Sequence, residues 1–267
     1  MSYWYAAPFG DDSNSGRSFG RAKRSIQAAI DLAADDETVR VYHGAYHEAL
    51  TISRPLEVVV YRPSKAWGAA ILEGPGDGAG LTVSGLSGTQ SVRFIGFRMA
   101  GWETGVAGAN AGGILTAYGL HFAPGVSYGI NPSGLGSARA WSCTFEEQLC
   151  ALGGADALQA EIADARGCTF FDCARSIAVG DDGVLCRWRN CIMANAGAAV
   201  RHVELDQRVA FEADFNLYAG ARPSAGWFVA GGVDYATDGD YDARWTAFQD
   251  IHSPPRNGEA AFVRTVV

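Results

Sequence analysis

The chain has 267 residues, with 29 acidic side chains against 21 basic ones, a formal charge of −8. That balance argues against a general nucleic-acid binder, and no apolar run is long enough to cross a bilayer. Hydrophobic residues make up 48% and glycine fills 34 positions, enough for a sizeable core with many tight turns.

The N-terminal "MSYWYAAPFG" reads as a strand, with no charged-then-apolar leader before it, so a chain used without a cleaved secretion signal, or trimmed of one, is expected. A Gly/Asp/Ser loop follows. Ile26, Ala29, Ile30 and Ala33 then form one apolar stripe at helical spacing. In "HGAYH", His43 and His47 stand four apart. That is a metal spacing on a helix, but this segment reads as strand and turn, so no zinc site is expected.

From residue 92 onward short stretches recur. "RFIGF", "YGLHF", "WSCTF", "RGCTF", "RNCIM" and "DFNLY" end at Phe97, Phe122, Phe145, Phe170, Met193 and Tyr218, at intervals of 25, 23, 25, 23 and 25. Two residues before these anchors stand Ile95, Leu120, Cys143, Cys168, Cys191 and Asn216. A second apolar column runs through Val106, Ile130, Leu152, Ile177, Val200 and Phe228. Glycine and small polar residues separate the columns, so each repeat reads as two or three short strands without a helix. A unit of about 24 residues cannot bury its apolar face alone. Stacked units can, with like residues about 4.8 Å apart.

The six cysteines fit this arrangement. Cys143, Cys168 and Cys191 share a column with Ile and Leu, and free cysteine behaves as a small hydrophobe. Core packing is the first reading, ahead of a disulfide or a metal site. Cys150, Cys173 and Cys186 share no column, which weakens a metal cluster further.

Nearly the whole chain resembles the right-handed parallel β-helix, or pectate-lyase-like, superfamily. The N-terminal run through "VRVYHGAYHEALTIS" is similar to that family's opening, and "NLYAG…RWTAFQDIHS" to segments that close such helices. The resemblance implies an all-β, right-handed parallel β-helix of one domain. Residues 1–37 would form the strand, loop and capping helix, 38–218 the coils and 219–267 the last coil and cap. The helix would cover an end that otherwise exposes core and strand edges. The fold hosts lyases, hydrolases, epimerases, adhesins and phage tailspikes, so it does not fix an activity.

The outward positions six and four before each anchor carry the candidate chemistry. One column reads Ser91, Thr116, Arg139, Asp164, Arg187 and Glu212; the other reads Arg93, Tyr118, Trp141, Arg166, Arg189 and Asp214. Aromatic faces stack on sugar rings, and arginine forks bind carboxylates or sulfates. Glycan binding is therefore expected of Arg93, Tyr118, Arg139, Trp141, Arg166, Arg187, Arg189 and Asp214. Two readings compete with it. One is a structural ladder of alternating charges. The other is catalysis by Asp164, Arg166, Arg187 and Glu212, as a polysaccharide lyase or glycoside hydrolase. Arginine is a poor base because it stays protonated, and Asp164 and Glu212 would stand about 10 Å apart, at the outer limit for an inverting pair.

The remaining candidates are weaker. Asp181 and Asp182 in "GDDG", and Glu146 and Glu147, read as turns; His121 and His202 stand alone; "GVAGANAGG" lacks the lysine and helix of a phosphate loop. The expected function is recognition of an acidic polysaccharide, as part of a phage-type spike or surface adhesin. Expected alternatives are an enzyme on the same strip and a structural spacer. No cofactor, metal, nucleic acid or membrane insertion is expected. The spike reading implies a homotrimer on a virion or cell surface; otherwise a cytoplasmic location is expected.

Overall fold

The computed structural model describes residues 2–61, 69–109, 111–153, 162–179, 185–196, 201–205, 210–214, 216–220, 228–230 and 233–235. Three sheets of nine, nine and eight strands line the faces of a solenoid, and the chain visits them in rotation. Among the described residues all strand pairings are parallel except the one between Phe228–Ala230 and Val233–Tyr235. The expected repeat appears as register: Phe122 pairs with Phe145, and Phe145 with Phe170.

The first corner of each turn shows how the repeat closes. Gly96, Gly119, Ser142, Gly167 and Asn190 all have φ between 53° and 83°. That left-handed conformation reverses the chain and aims each N–H at the next turn. The amides of Gly96, Gly119, Ser142 and Gly167 donate to the carbonyls of Tyr118, Trp141, Arg166 and Arg189 at 2.8–2.9 Å. Glycine adopts this backbone without strain; serine and asparagine do so at a cost.

The core consists of ladders whose sizes compensate. Phe94, Ala117, Ala140, Ala165 and Trp188 point inward from the first sheet. Met99, Phe122, Phe145, Phe170 and Met193 are buried on the second. Phenylalanine accompanies alanine, and methionine accompanies the larger Phe94 and Trp188, which keeps the cross-section filled. The rings of Phe122, Phe145 and Phe170 stack at 4.7 and 5.0 Å.

The cysteine column lies at the corner between these ladders, buried and unbridged. Its thiols repeat one hydrogen bond: Cys143, Cys168 and Cys191 donate to the carbonyls of Ala117, Ala140 and Ala165 at 3.5, 3.1 and 3.6 Å. Asn216 continues the column. Its Nδ2 donates to the Trp188 carbonyl at 3.1 Å, and its Oδ1 accepts from the Cys191 amide at 3.0 Å. The column therefore selects a small donor as well as an apolar one.

Two expectations about register are corrected. The anchor before Phe122 is Met99, not Phe97, because His121 and Phe122 pair with Arg98 and Met99. Phe97 instead takes the corner position of Leu120 and the cysteines. The second apolar column passes from Ile177 to Val203 and then to Phe228, so Val200 is not its member; Val200 lies outside the described residues. Both slips follow from reading spacing across turns of variable length.

The helix Ile26–Leu32 buries Ile26, Ala29 and Ile30, as the stripe predicts. Ser25 caps it by accepting from the Ala28 amide at 3.2 Å. Glu48, from the first turn of the solenoid, accepts from the Ile26 and Gln27 amides at 2.7 and 3.0 Å. The carboxylate ties helix to coil while satisfying two N–H groups the helix cannot. Parallel pairing starts with Tyr3–Ala6 against Thr38–Val41 and reaches Phe228 and Val229, which pair with Val203 and Glu204. Beyond Gly220, only Phe228–Ala230 and Val233–Tyr235 of the expected closing segment fall within the described residues.

Candidate functional site

The outer face of the first sheet carries two columns in register. One runs Glu57, Arg93, Thr116, Arg139, Asp164, Arg187 and Glu212. The other runs Val59, Ile95, Tyr118, Trp141, Arg166, Arg189 and Asp214. Arg93 therefore belongs beside Thr116 and Arg139, not beside Tyr118 as its spacing suggested, and Ser91 pairs with Ile114. The side chains of Glu212 and Asp214 lie outside the described residues.

Charges pair both across strands and within one. Arg93 pairs across strands with Glu57 at 2.5 Å. Asp164 is gripped from its own strand: Arg166 Nε and Nη2 reach its two oxygens at 3.0 and 2.8 Å. The Arg166 guanidinium carbon also lies 5.6 Å from the Trp141 ring. Next to Trp141, Tyr118 is 47% exposed. An aromatic surface and a braced guanidinium thus stand side by side.

The strand Leu135–Trp141 adds unused donors. Ser137 Oγ and Trp141 Nε1 are buried with no hydrogen-bond partner among the described residues. Between them, Arg139 makes no ion pair among those residues. A buried polar group left unmatched costs about 1–3 kcal/mol, so such groups ask for an explanation. Ser137 and Trp141 share the parity of Arg139 on this strand, opposite the inward Ala138 and Ala140.

The strip shows recognition chemistry more clearly than acid–base chemistry. Asp164 is almost wholly buried and committed to Arg166, which suits a positioning carboxylate and not a mobile base. Arg187 and Glu212 are paired in register with the other catalytic candidates, which places all four on one surface without giving any a proton-transfer role.

Other candidates disperse. His43 and His47 flank the strand Gly44–Tyr46, about 13 Å apart at strand rise, and do not converge. His47 instead lies 3.6 Å from Glu73. His121 stands 3.2 Å from Glu146, and Glu147 occupies an exposed turn at φ 61°. Asp181, Asp182 and the His202 side chain lie outside the described residues. "GVAGANAGG" falls on the strands Thr104–Ala109 and Ala111–Tyr118. Among the described residues, no three His, Cys, Asp or Glu side chains are grouped to hold a metal, and no helix is long and apolar enough to cross a membrane.

Spacing gave no hint of one feature. A cleft of about 570 Å³ opens at another corner, lined by His47, Glu48, Glu73, Asp77 and Trp102. Its residues come from separate turns, so no local motif joins them. Burial pushes the Glu48 carboxyl above its usual range, against the pull of the two helix amides. That carboxylate already serves the helix.

The sequence matches no protein-family model, and no curated protein matches it. Solved structures do. The chain resembles pectate lyase Pel9A with a TM-score of 0.55 at 15% identity, over 84% of this chain and 64% of that one. It spans less than two thirds of that enzyme. GH136 lacto-N-biosidase from Eubacterium ramulus gives a TM-score of 0.41 at 12% identity, over 86% of this chain and 54% of that one. The rotating parallel sheets and the likeness to Pel9A make this chain a right-handed parallel β-helix, a β-solenoid of the pectate-lyase-like fold.

Proposed function

We propose that this protein recognises an acidic polysaccharide on the outer face of its first sheet. One observation carries the reading. On neighbouring strands the 47% exposed Tyr118 pairs with Trp141, and the half-exposed guanidinium of Arg166 lies 5.6 Å from the Trp141 ring. Aromatic faces suit sugar rings, and guanidinium forks suit carboxylates or sulfates. The fold shared with a pectate lyase agrees with a carbohydrate ligand.

The test is a panel of neutral and acidic polysaccharides read for both retention and product release. Saturable retention of acidic chains, lost in Trp141→Ala and Arg166→Ala, is expected. Release of oligosaccharides would replace this reading with a lyase or hydrolase on the same strip, with Asp164, Arg166, Arg187 and Glu212 to mutate first. Neither retention nor release would leave a structural spacer. In its finer form the proposal places the face on a homotrimeric phage-type spike or surface adhesin. Light scattering should then give three times the chain mass; a monomer would overturn that part.

A further inference from the structure

The outward column that holds Tyr118, Trp141 and Arg166 continues in register toward the N-terminus. It passes Ile95 and Val59 and ends at Arg40 and Tyr5. Arg40 is unusual there. Its guanidinium carbon lies 3.5 Å from the Tyr3 ring centre and 4.8 Å from that of Tyr61. Its one hydrogen bond among the described residues is a long one, 3.4 Å, from Nη1 to the Tyr5 hydroxyl. It has no carboxylate partner among those residues. Tyrosine stacking holds a guanidinium flat and leaves its edge N–H groups available to an anion.

Aromatic surface extends from this point. Tyr61 packs against Tyr42 at 5.4 Å, Tyr42 against Phe19 at 4.4 Å, and Phe19 against Phe9 at 5.0 Å. Phe9 is 62% and Phe19 43% exposed. A cation edged by aromatic rings resembles the Trp141–Arg166 cluster, but without the carboxylate that braces Arg166.

We infer that Arg40 and its aromatic surround form a second subsite for the same acidic polysaccharide, an inference that builds on the recognition reading above. Arg40 and Arg166 stand five strands apart, about 24 Å at strand spacing. The ligand chain therefore runs across the strands, along the solenoid axis, and touches both clusters at once. Val59 and Ile95 form the apolar floor between them. Charge complementarity and continuity in register both favour a long anionic chain as the occupant. Binding at two linked points raises affinity without any new contact.

The experiment uses size-fractionated polygalacturonate and alginate oligomers in calorimetric titrations of the full chain. Wild type is expected to bind long oligomers at least tenfold more tightly than short ones. Arg40→Ala should abolish that gain and leave short-oligomer affinity unchanged, and Phe19→Ala, at an exposed position, should reduce it. Trp141→Ala should weaken both lengths. If both N-terminal variants bind long oligomers as wild type does, the second subsite is overturned while the recognition reading stands. If wild type binds no oligomer of any length, both are overturned.

Discussion

Asp164 accepts two hydrogen bonds from Arg166, at 3.0 and 2.8 Å, while being only 3% exposed itself. A carboxylate this buried needs a compensating cation, whereas Arg166 remains 49% exposed. The pair thus lies between a surface ion pair, worth under about 1 kcal/mol, and a buried one, whose disruption costs about 3–5 kcal/mol. Arg166→Ala should destabilise by about 2 kcal/mol because it strands the aspartate. The double variant Asp164→Ala/Arg166→Ala should be more stable than Arg166→Ala alone. Urea unfolding checks this, and an Arg166→Ala midpoint equal to wild type would show that the pair has no structural role.

The same pair shows where sequence reasoning reaches and where it stops. The repeat, the inward cysteine column and the capping helix were legible because a solenoid repeats its packing. Small and large residues return at fixed intervals, and Ile26, Ala29 and Ile30 keep a helical stripe. The error at Phe97 came from matching an aromatic letter; in space Phe97 stacks on Phe94 at 4.2 Å across the corner. The charge pattern hid one partner. Reading down a column of opposite charges does not show that Arg166, two residues along the same strand, reaches Asp164. The Arg40 cluster was invisible because its rings come from Tyr3, Phe19, Tyr42 and Tyr61, which share no spacing.

The cysteine ladder makes a chemical prediction. Burial holds the Cys173 thiol up to about 12 and also raises Cys143, Cys191 and Cys186. Hydrogen bonds from the Cys143 and Cys191 thiols pull Cys168 down, although it is buried out of a reagent's reach. Reactivity follows the thiolate, which is scarce in such surroundings. A disulfide-exchange thiol reagent at pH 8 should find no fast-reacting thiol in the native protein and all six after denaturation. Rapid native labelling of two or more would contradict the packed-core assignment. Cys168→Ala should destabilise by about 1–2 kcal/mol, because it removes buried volume and the donor to the Ala140 carbonyl.

Glu37 sets an acid limit for the capped end. Its carboxyl is held at about 2, chiefly by the Trp4 indole N–H at 2.6 Å and next by the Ala34 amide at 2.8 Å. The folded state binds this proton less readily than the unfolded chain. The stabilisation is therefore present above the ordinary value of 4.5 and is lost as pH falls toward about 2. Glu37→Gln should flatten the fall in stability between those values and reduce stability at neutral pH. Trp4 fluorescence during acid titration would report it. An unchanged acid profile in Glu37→Gln would remove Glu37 from the account.

The corner residues offer a test of the backbone alone. Gly119 has φ 61°, and a Cβ added there would meet nothing within 4 Å. Gly119→Ala therefore isolates conformational strain, expected at about 1–2 kcal/mol. Ser142 occupies the next corner at φ 53° with a side chain already present. Ser142→Gly should relieve that strain, offset in part by the greater freedom of glycine in the unfolded chain, for a net gain of about 0.5 kcal/mol. Thermal unfolding of the two variants should move in opposite directions from wild type. Because both amides donate to the following turn, at 2.9 Å from Gly119 and 2.8 Å from Ser142, neither substitution changes a hydrogen bond. If Gly119→Ala were as stable as wild type, the left-handed corner would not be what selects glycine there.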